Sequence, residues 1–335
     1  MTNIYVLGAG GIGTLVAAGL TKRFPVNFIV RTQSKIDLLK KTNNTFTITQ
    51  LFNQNAKISR QIANASRAEE IKDRQIDFLI VSVKTFDTVK SLTPLLPKIG
   101  SSTHILLIQN GMGVLEELNA KVWPDASTRP VLYQGVITHG IFQDQSEIGT
   151  YNYSHAGNGD LKVARVDGKP ATHPVIQALV ESEINTSVYT FEDLLTHQVS
   201  KLMVNVCMNP TTSVLDCINY ELADIDAVKE YFRCMIHEGM TILKRKYPAL
   251  ENRPELADDL LVDLACEKGF ILNGKNSTSM RQDTLFLRDT EIDYINGYIV
   301  RLAEDMGLDA PYNRSIQLLT KSRSIINKRR AELKN

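Results

Sequence analysis

The feature that most constrains the fold is a glycine-rich loop directly after a short apolar run near the N-terminus. Residues 3 to 8 read Asn-Ile-Tyr-Val-Leu-Gly, and the chain continues as Ala-Gly-Gly-Ile-Gly into a helix-like stretch from Thr14 to Arg23. This Gly-x-Gly-x-x-Gly spacing between a strand and a helix is typical of dinucleotide-binding domains. Gly8 permits the tight turn, Gly10 lets backbone approach a pyrophosphate, and Gly13 allows close helix packing. We therefore predict a cofactor loop formed by Gly8, Gly10, Gly11, Ile12 and Gly13.

Apolar runs and helical stretches alternate after this loop. The runs Val26 to Val30, Asp77 to Val83 and His104 to Ile108 have the length of buried strands, and the amphipathic stretch Phe86 to Leu96 separates the last two. This alternation predicts an α/β domain with a Rossmann-type, doubly wound, mainly parallel sheet.

The pattern changes in the middle of the chain. Glycine-punctuated extended segments, Val131 to Ile141 and Gly149 to Ser154, predict added strands at the edge of the sheet. From Phe191 onward helical periodicity dominates. We therefore predict a dinucleotide-binding domain over residues 1–190 and a mostly α-helical domain over residues 191–335.

The composition restricts the class of partner. The chain has 335 residues, a net charge of +1 and 22% charged residues, which gives no reason to expect a nucleic-acid or membrane surface. No apolar run approaches the roughly 20 residues of a membrane span, and the first strand leaves no room for a signal peptide, so we expect a cytoplasmic protein. The four cysteines lack metal-site spacing and are expected to be reduced, and no metal site is predicted. A homodimer is compatible with the sequence.

A polar stripe lies inside an apolar run of the second half. Lys201, Asn205 and Asn209 recur at steps of four among apolar neighbours, so on a helix they share one face. Leaving a buried amide unpaired costs about 1–3 kcal/mol, and these groups therefore need partners. A polar ligand could supply them, and so could an internally satisfied polar network. Pro210 removes a backbone donor and frees the carbonyl of Val206, which kinks or ends the helix beside the stripe.

The residue that closes the second predicted strand bears on the choice of cofactor. An acidic group there accepts bonds from a ribose 2′-hydroxyl, whereas a 2′-phosphate needs a cation. This chain has Arg31 at that point and Lys35 nearby, which favours NADP over NAD. A surface arginine without a cofactor role is the alternative.

Two polar residues follow later strands at the edge where open α/β sheets bind ligands. Lys84 comes just after the strand ending at Val83, and Asn110 just after the strand ending at Ile108. Both have an alternative role as ordinary loop residues.

A second polar block lies near the C-terminus. Asn276, Ser277, Thr278 and Ser279 are helix-capping types, so we predict a helix start there. Glu291, with apolar Ile292 beside it, is then expected to point inward from the middle of a helix. A buried glutamate needs a cation, and Lys201 is the candidate.

Together these elements resemble the ketopantoate reductase (2-dehydropantoate 2-reductase) family. They span nearly the whole chain in the order of the family. The elements are the glycine loop, Arg31, Lys84, Asn110-Gly111-Met112-Gly113, Lys201-x-x-x-Asn205-x-x-x-Asn209-Pro210, Ser279-Met280 and the stretch from Glu291 to Gly297.

The resemblance implies NADPH-dependent reduction of a 2-oxo acid to a D-type 2-hydroxy acid, normally 2-dehydropantoate to pantoate in pantothenate and coenzyme A synthesis. It implies that Lys201 is the general acid and Glu291 its partner. Hydride delivery to a ketone builds negative charge on oxygen, and a lysine supplies both a cation and a transferable proton.

The same resemblance assigns the binding residues. It implies that Lys84 lies in the cofactor cleft and that Asn110 contacts both nicotinamide and substrate. The remaining substrate-binding residues are expected to be Asn205, Asn209 and Ser279.

One segment departs from the family pattern, and three alternative functions stay open. The segment between Tyr247 and Lys275 does not align with the family, and a lid or a peripheral insertion are the alternatives for it. A paralogue could reduce another 2-oxo acid with the same stripe. A 3-hydroxyacid dehydrogenase is disfavoured because the residues before Lys201 are not glycines. A non-catalytic NADP-sensing protein would be expected to have lost the lysine or the glutamate.

Overall fold

The chain divides into two compact units. The computed structural model describes residues 2–143, 145–272 and 274–333, so residues 1 and 334–335 at the ends of the two predicted domains lie outside it. Unit 1 comprises Met1–Gln109 and Leu115–Leu194, and unit 2 comprises Asn110–Val114 and Leu195–Asn335. The predicted border between residues 190 and 191 lies at the start of the helix that crosses this division. The short segment 110–114 groups with unit 2 and had no counterpart in the sequence-based prediction.

Unit 1 is built on an eight-stranded sheet. The described strands are β1 (Ile4–Leu7), β2 (Val26–Ile29), β3 (Thr45–Gln50), β4 (Ala56–Gln61), β5 (Asn64–Ser66), β6 (Phe78–Val81), β7 (His104–Leu107), β8 (Val131–Ile137), β9 (Gly140–Phe142), β10 (Asn152–Gly157), β11 (Leu161–Arg165) and β12 (Thr186–Val188). The order in the large sheet is β12-β11-β8-β7-β6-β1-β2-β5. Its pairs are parallel except β11 with β8. The strand order reverses between β1 and β6, where sheets of this type bind ligands.

The helices in the first half connect these strands. They are α1 (Gly11–Leu20), α2 (Gln33–Lys41), α3 (Thr88–Leu92), α4 (Val114–Lys121) and α5 (Pro174–Val180). All four residues of β1 are buried, as are all four of β6, which fits strands covered on both faces. The predicted α/β class with a mainly parallel sheet is confirmed.

The prediction of edge strands in the middle of the chain was wrong. β8 lies inside the large sheet between β7 and β11, and β9 and β10 belong to a second sheet with the order β4-β3-β10-β9. Almost every residue of β8 is buried, so it packs as an interior strand. The hairpin of β3 and β4 was not predicted because its strands are largely polar, and its turn uses Gln54 and Asn55 at positive φ.

Unit 2 is helical. Its helices are α6 (Phe191–Leu215, which begins in unit 1), α7 (Asp226–Lys246), α8 (Asp258–Cys266), α9 (Ser279–Leu285), α10 (Asn296–Asp305) and α11 (Pro311–Glu332). No strand occurs among the described residues after Phe191. The predicted helical C-terminal domain is therefore confirmed. None of the described helices combines the length and apolarity needed to cross a membrane.

The segment that departs from the family pattern is part of the core of unit 2. It contains short helical turns, α8 and a π-helix over Glu267–Leu272. Apolar side chains from this segment belong to the buried cluster of unit 2, namely Leu250, Leu256, Leu261, Val262 and Ala265. The segment therefore contributes to the fold of the unit and is not a detached insertion.

Buried histidines couple the stability of unit 1 to pH. His155 is 2% exposed, and its burial together with neighbouring His139 lowers its pKa to about 4. The Gly159 N–H donates to His139 Nδ1 at 3.0 Å, so that nitrogen is an acceptor and His155 Nε2 donates to it, also at 3.0 Å. His173 is held to a pKa of about 4 by burial and by neighbouring His104. The rings of His155 and His173 are therefore neutral at pH 7.

We predict that acid destabilises the protein through these rings. The folded-state pKa lies below the ordinary value of about 6.5, so the unfolded state binds more protons, and the free energy of unfolding falls as pH drops from about 6.5 toward 4. His155 alone should account for a loss of about 1–2 kcal/mol between pH 7 and pH 5, measured by urea unfolding. His155→Gln should reduce this loss. Identical pH dependence in wild type and His155→Gln would contradict the assignment.

Candidate active site

The glycine loop has the geometry that a bound pyrophosphate requires. Gly8 has φ +103°, and a Cβ there would lie 2.9 Å from the Val83 nitrogen. A Cβ on Gly13 would lie 2.0 Å from the Gly8 oxygen, so α1 packs on the loop as closely as glycine allows. A Cβ on Gly10 would meet nothing within 4 Å, and the first turn of α1 has no acidic residue. The loop is therefore tight on its protein side and open where an anion would approach the helix N-terminus.

Two side chains that the sequence analysis did not select hold this loop. The Tyr153 hydroxyl donates to the Ala9 carbonyl at 2.9 Å, and the Ser82 hydroxyl donates to the Gly8 carbonyl at 2.7 Å. Burial raises the pKa of Tyr153 to about 12, so its phenol stays a donor at neutral pH. Ser82 follows β6 beside Lys84, which makes it detectable from sequence, but no local signal connects Tyr153 with the loop.

The predicted 2′-phosphate residue is exposed and already has an acidic partner. The Arg31 side chain is 72% exposed, and its guanidinium forms an ion pair with the Asp87 carboxylate. Desolvation and the neighbouring Arg31 charge lower the pKa of Lys35. The sequence analysis recognised the two cations, but it missed Asp87 because that residue is far away along the chain.

Lys84 and Asn110 follow neighbouring strands, but they belong to different units. Lys84 is half-buried and precedes a short helical turn over Thr85–Asp87 in unit 1. Gln109, the last residue of unit 1 before the chain passes to Asn110, donates to the Val83 carbonyl at 2.8 Å. Gln109 therefore fixes the end of β7 to the segment that carries Lys84.

The polar stripe on α6 has the surroundings that the sequence predicted. Lys201 and Asn205 are half-buried, and Asn209 is 8% exposed. Leu202 and Val206 are at most 2% exposed. The stripe is thus the polar face of an otherwise buried helix.

Lys201 and Asn110 are in direct contact within unit 2. The Lys201 ammonium donates to the Asn110 side-chain oxygen at 2.8 Å. The segment after Asn110 is fixed because the Met112 N–H donates to the Tyr294 carbonyl at 2.8 Å. Gly111 has φ +79°, and a Cβ there would lie 2.3 Å from the same carbonyl oxygen. Main-chain packing therefore sets the position of the amide that accepts the lysine hydrogen bond.

The predicted helix start at the second polar block is confirmed. Ser279 is the first residue of α9, and Thr278 caps the helix by accepting the Arg281 N–H at 3.2 Å. The Thr278 hydroxyl also lies 2.7 Å from the hydroxyl of buried Thr212 on α6, one turn after Asn209. The sequence analysis missed this pair, which joins the helix of the stripe to the start of α9. Ser213 of α6 also bonds Thr284 of α9, and Arg281 of α9 bonds Asp216, the residue that directly follows α6.

The prediction that Glu291 lies in the middle of a helix was wrong. α9 ends at Leu285, Leu287 has a positive φ of 58°, and the Arg288 N–H bonds back to the Asp283 carbonyl. Glu291 lies beyond this reversal, directly before a short helical turn over Ile292–Tyr294. It is nevertheless 5% exposed, so the inward orientation expected for it agrees with its burial.

The site residues thus fall into two groups. Unit 1 contains the glycine loop, Arg31 and Lys84, whereas unit 2 contains Asn110, the α6 stripe, Ser279 and Glu291. Within the described ranges, no three histidine, cysteine or acidic side chains are grouped as a metal site would require.

Comparisons with known proteins show the family to which the chain belongs. Two family models match the chain, one described as "Ketopantoate reductase PanE/ApbA" over residues 4–168 and one as its C-terminal domain over residues 193–324. A probable 2-dehydropantoate 2-reductase from Schizosaccharomyces pombe is 39% identical, covering 98% of each chain. The 2-dehydropantoate 2-reductase of Saccharomyces cerevisiae is 35% identical over 98% of this chain and 96% of its own.

A solved structure shows the same fold at lower identity. D-mandelate dehydrogenase with NADH and anilino(oxo)acetate aligns with a TM-score of 0.83 and 21% identity, covering 98% of this chain and 100% of that one. The fold of both units therefore occurs in an experimentally determined structure.

We predict that two glycine substitutions separate packing from cofactor binding. Gly13→Ala should lower the free energy of unfolding by about 1–3 kcal/mol and weaken NADPH binding, because its Cβ overlaps the Gly8 carbonyl. Gly10→Ala should change stability by less than about 0.5 kcal/mol while weakening NADPH binding about tenfold, because only the open side of the loop changes. NADPH fluorescence titration and thermal unfolding measure both effects.

Gly100→Ala is the matched control, since a Cβ there also meets nothing within 4 Å. It should change neither stability nor NADPH binding. Unchanged NADPH affinity in Gly10→Ala would remove Gly10 from the cofactor loop.

Proposed function

Because the chain belongs to the ketopantoate reductase family, we propose that it catalyses NADPH-dependent reduction of 2-dehydropantoate to D-pantoate, a step of pantothenate and coenzyme A biosynthesis. The observation that carries the proposal is the Lys201 ammonium, half-buried on the α6 stripe and bonded to Asn110. An ammonium held in this way is suited to protonate a ketone oxygen as hydride arrives at the carbon.

Lys201 acts as the general acid in this mechanism. NADPH, when bound, supplies the hydride. The Lys201 Nζ donates a proton to the developing alkoxide, and its positive charge stabilises that oxygen in the transition state. The Asn110 oxygen directs one of the three ammonium protons, which limits the rotation of the lysine head group. The buried Glu291 carboxylate is the proposed counter-charge that favours the protonated lysine.

Neutral donors hold the rest of the substrate. The Asn205 and Asn209 amides and the Ser279 hydroxyl bind the substrate carboxylate and hydroxyl without adding a second positive charge. The Thr212–Thr278 bond supports this assignment, because it joins α6 near Asn209 to the residue preceding Ser279.

The cofactor residues are proposed in unit 1, together with Asn110 near the nicotinamide. Gly8, Gly10, Gly11, Ile12 and Gly13 surround the pyrophosphate, Arg31 binds the 2′-phosphate, and Lys84 lies along the cofactor. Asp87 then has a role of its own, since its carboxylate competes with the phosphate for the Arg31 guanidinium.

The homodimer and the cytoplasmic location stay predictions. Several large apolar side chains on α11 are more than 40% exposed, which supports a surface covered by a second copy. They are Leu318, Leu319, Ile325 and Ile326.

The function is tested with a panel of 2-oxo acids assayed by NADPH absorbance. We predict that 2-dehydropantoate has the highest kcat/KM and that Lys201→Ala lowers kcat by roughly 10²–10⁴ while NADPH affinity stays unchanged, because the lysine acts on the reacting carbonyl. Branched and aromatic 2-oxo acids in the panel test the alternative substrates. Tight NADPH binding without turnover of any member would instead support an NADP-sensing protein.

A second test concerns the choice of cofactor. Arg31→Ala should weaken NADPH binding about 10- to 100-fold and leave NADH binding unchanged, because a charge-assisted bond to the 2′-phosphate is worth about 1.5–3 kcal/mol. Asp87→Asn is the companion variant: it removes the competing carboxylate and should strengthen NADPH binding severalfold. Equal weakening of both cofactors in Arg31→Ala would contradict the 2′-phosphate role.

A further inference from the structure

Helix α6 continues through a proline beside the polar stripe. Pro210 lies inside the helix, which runs to Leu215, so the predicted alternative that the helix ends there was wrong. Proline has no N–H, and the Val206 carbonyl therefore lacks its ordinary helical donor from residue 210. Val206 is 0% exposed, so solvent water does not reach its carbonyl to donate a hydrogen bond.

Asn296 supplies a donor from another helix. Its side-chain nitrogen donates to the Val206 carbonyl at 3.1 Å and to the Asn313 side-chain oxygen at 3.0 Å. An amide NH₂ has two hydrogens, so these bonds use both and fix the orientation of the group. Asn296 is 0% exposed and is the first residue of α10, directly after the segment that contains Glu291.

The amide is itself held by a buried network. The Asn313 side-chain nitrogen donates to the Met235 carbonyl at 3.2 Å and to the Glu238 carboxylate at 2.8 Å. The same carboxylate oxygen accepts the Asn313 N–H at 2.8 Å. Asn296 is thus connected to α7 and α11 as well as to α6, and it cannot rotate away without breaking bonds between helices.

We propose that Asn296 is a positioning residue for the reaction: its amide replaces the main-chain donor that Pro210 lacks and fixes the turn of α6 that carries Asn205 and Asn209. The carbonyl it binds belongs to the residue after Asn205, and the residue without an N–H follows Asn209. One side chain therefore sets the conformation at both amides of the stripe. The role in catalysis depends on the proposed function, because it assumes that these amides bind the substrate.

A double-mutant cycle of Asn296 and Pro210 tests whether the Asn296 amide replaces the donor that Pro210 lacks. Asn296→Ala should raise KM for the 2-oxo acid about tenfold, lower the melting temperature and leave the NADPH Kd within about twofold, because the cofactor residues of unit 1 are untouched. Pro210→Ala restores an N–H at residue 210 that can bond Val206. In the Pro210→Ala background, Asn296→Ala should raise KM less than about threefold. It should also lower the melting temperature less than it does in the wild-type background. Effects of Asn296→Ala that are equal in both backgrounds would overturn the proposal.

Asn313→Ala is the matched control. It breaks the same network without removing a donor from Val206, so Pro210→Ala should not rescue it, and rescue of both variants would overturn the specific role of Asn296. A melting-temperature loss in Asn296→Ala with unchanged KM would show a merely structural role. Failure of Asn296→Ala to fold in both backgrounds would also count against the proposal, because the restored N–H should make the amide dispensable. Absence of wild-type turnover would refute the proposed function. Non-additive melting temperatures of Asn296→Ala and Pro210→Ala would still show that the Asn296 amide bonds the Val206 carbonyl.

Discussion

Helix α6 passes through the apolar core of unit 2 with polar groups on it, and each of those groups needs a partner. The helix therefore determines much of its surroundings. Asn110 accepts from Lys201, Thr278 bonds Thr212, and Asn296 reaches the carbonyl freed by Pro210. These partners come from three separate stretches of the chain. The cost of an unsatisfied buried group, about 1–3 kcal/mol, is large against a total stability of roughly 5–15 kcal/mol, so the three stretches are held where the helix requires them.

In unit 1, close packing of backbone determines the conformation of the glycine loop. The glycine loop lies so close to the segment after β6 and to the first turn of α1 that side chains at Gly8 and Gly13 would overlap neighbouring backbone. Gly10 escapes this crowding. The same backbone is consequently rigid on the side that packs against protein and unobstructed on the side where N–H groups of the helix start are exposed, which is the arrangement that anion binding requires.

Features that depend on a local sequence pattern could be predicted from the sequence. Strand–glycine–helix order predicted the parallel sheet, and steps of four predicted the α6 stripe. Features that depend on contacts between distant residues were missed or wrong. The ion pair of Arg31 with Asp87 and the bond from Tyr153 to the loop join residues far apart in sequence. Glu291 was misplaced because a non-glycine residue, Leu287, adopts the positive φ that ends the helix, and residue type does not signal it.

Pro210 removes a main-chain donor from α6, and another helix replaces it. The loss of a donor at Val206 follows from the covalent structure of proline alone, whereas the group that replaces it can be found only in the folded chain. The replacement comes from α10, whose preceding segment contains the buried Glu291. The turn that carries Asn205 and Asn209 is thereby linked through Asn296 to the segment that carries Glu291, so one hydrogen bond connects the proposed substrate-binding amides with the proposed counter-charge of the lysine.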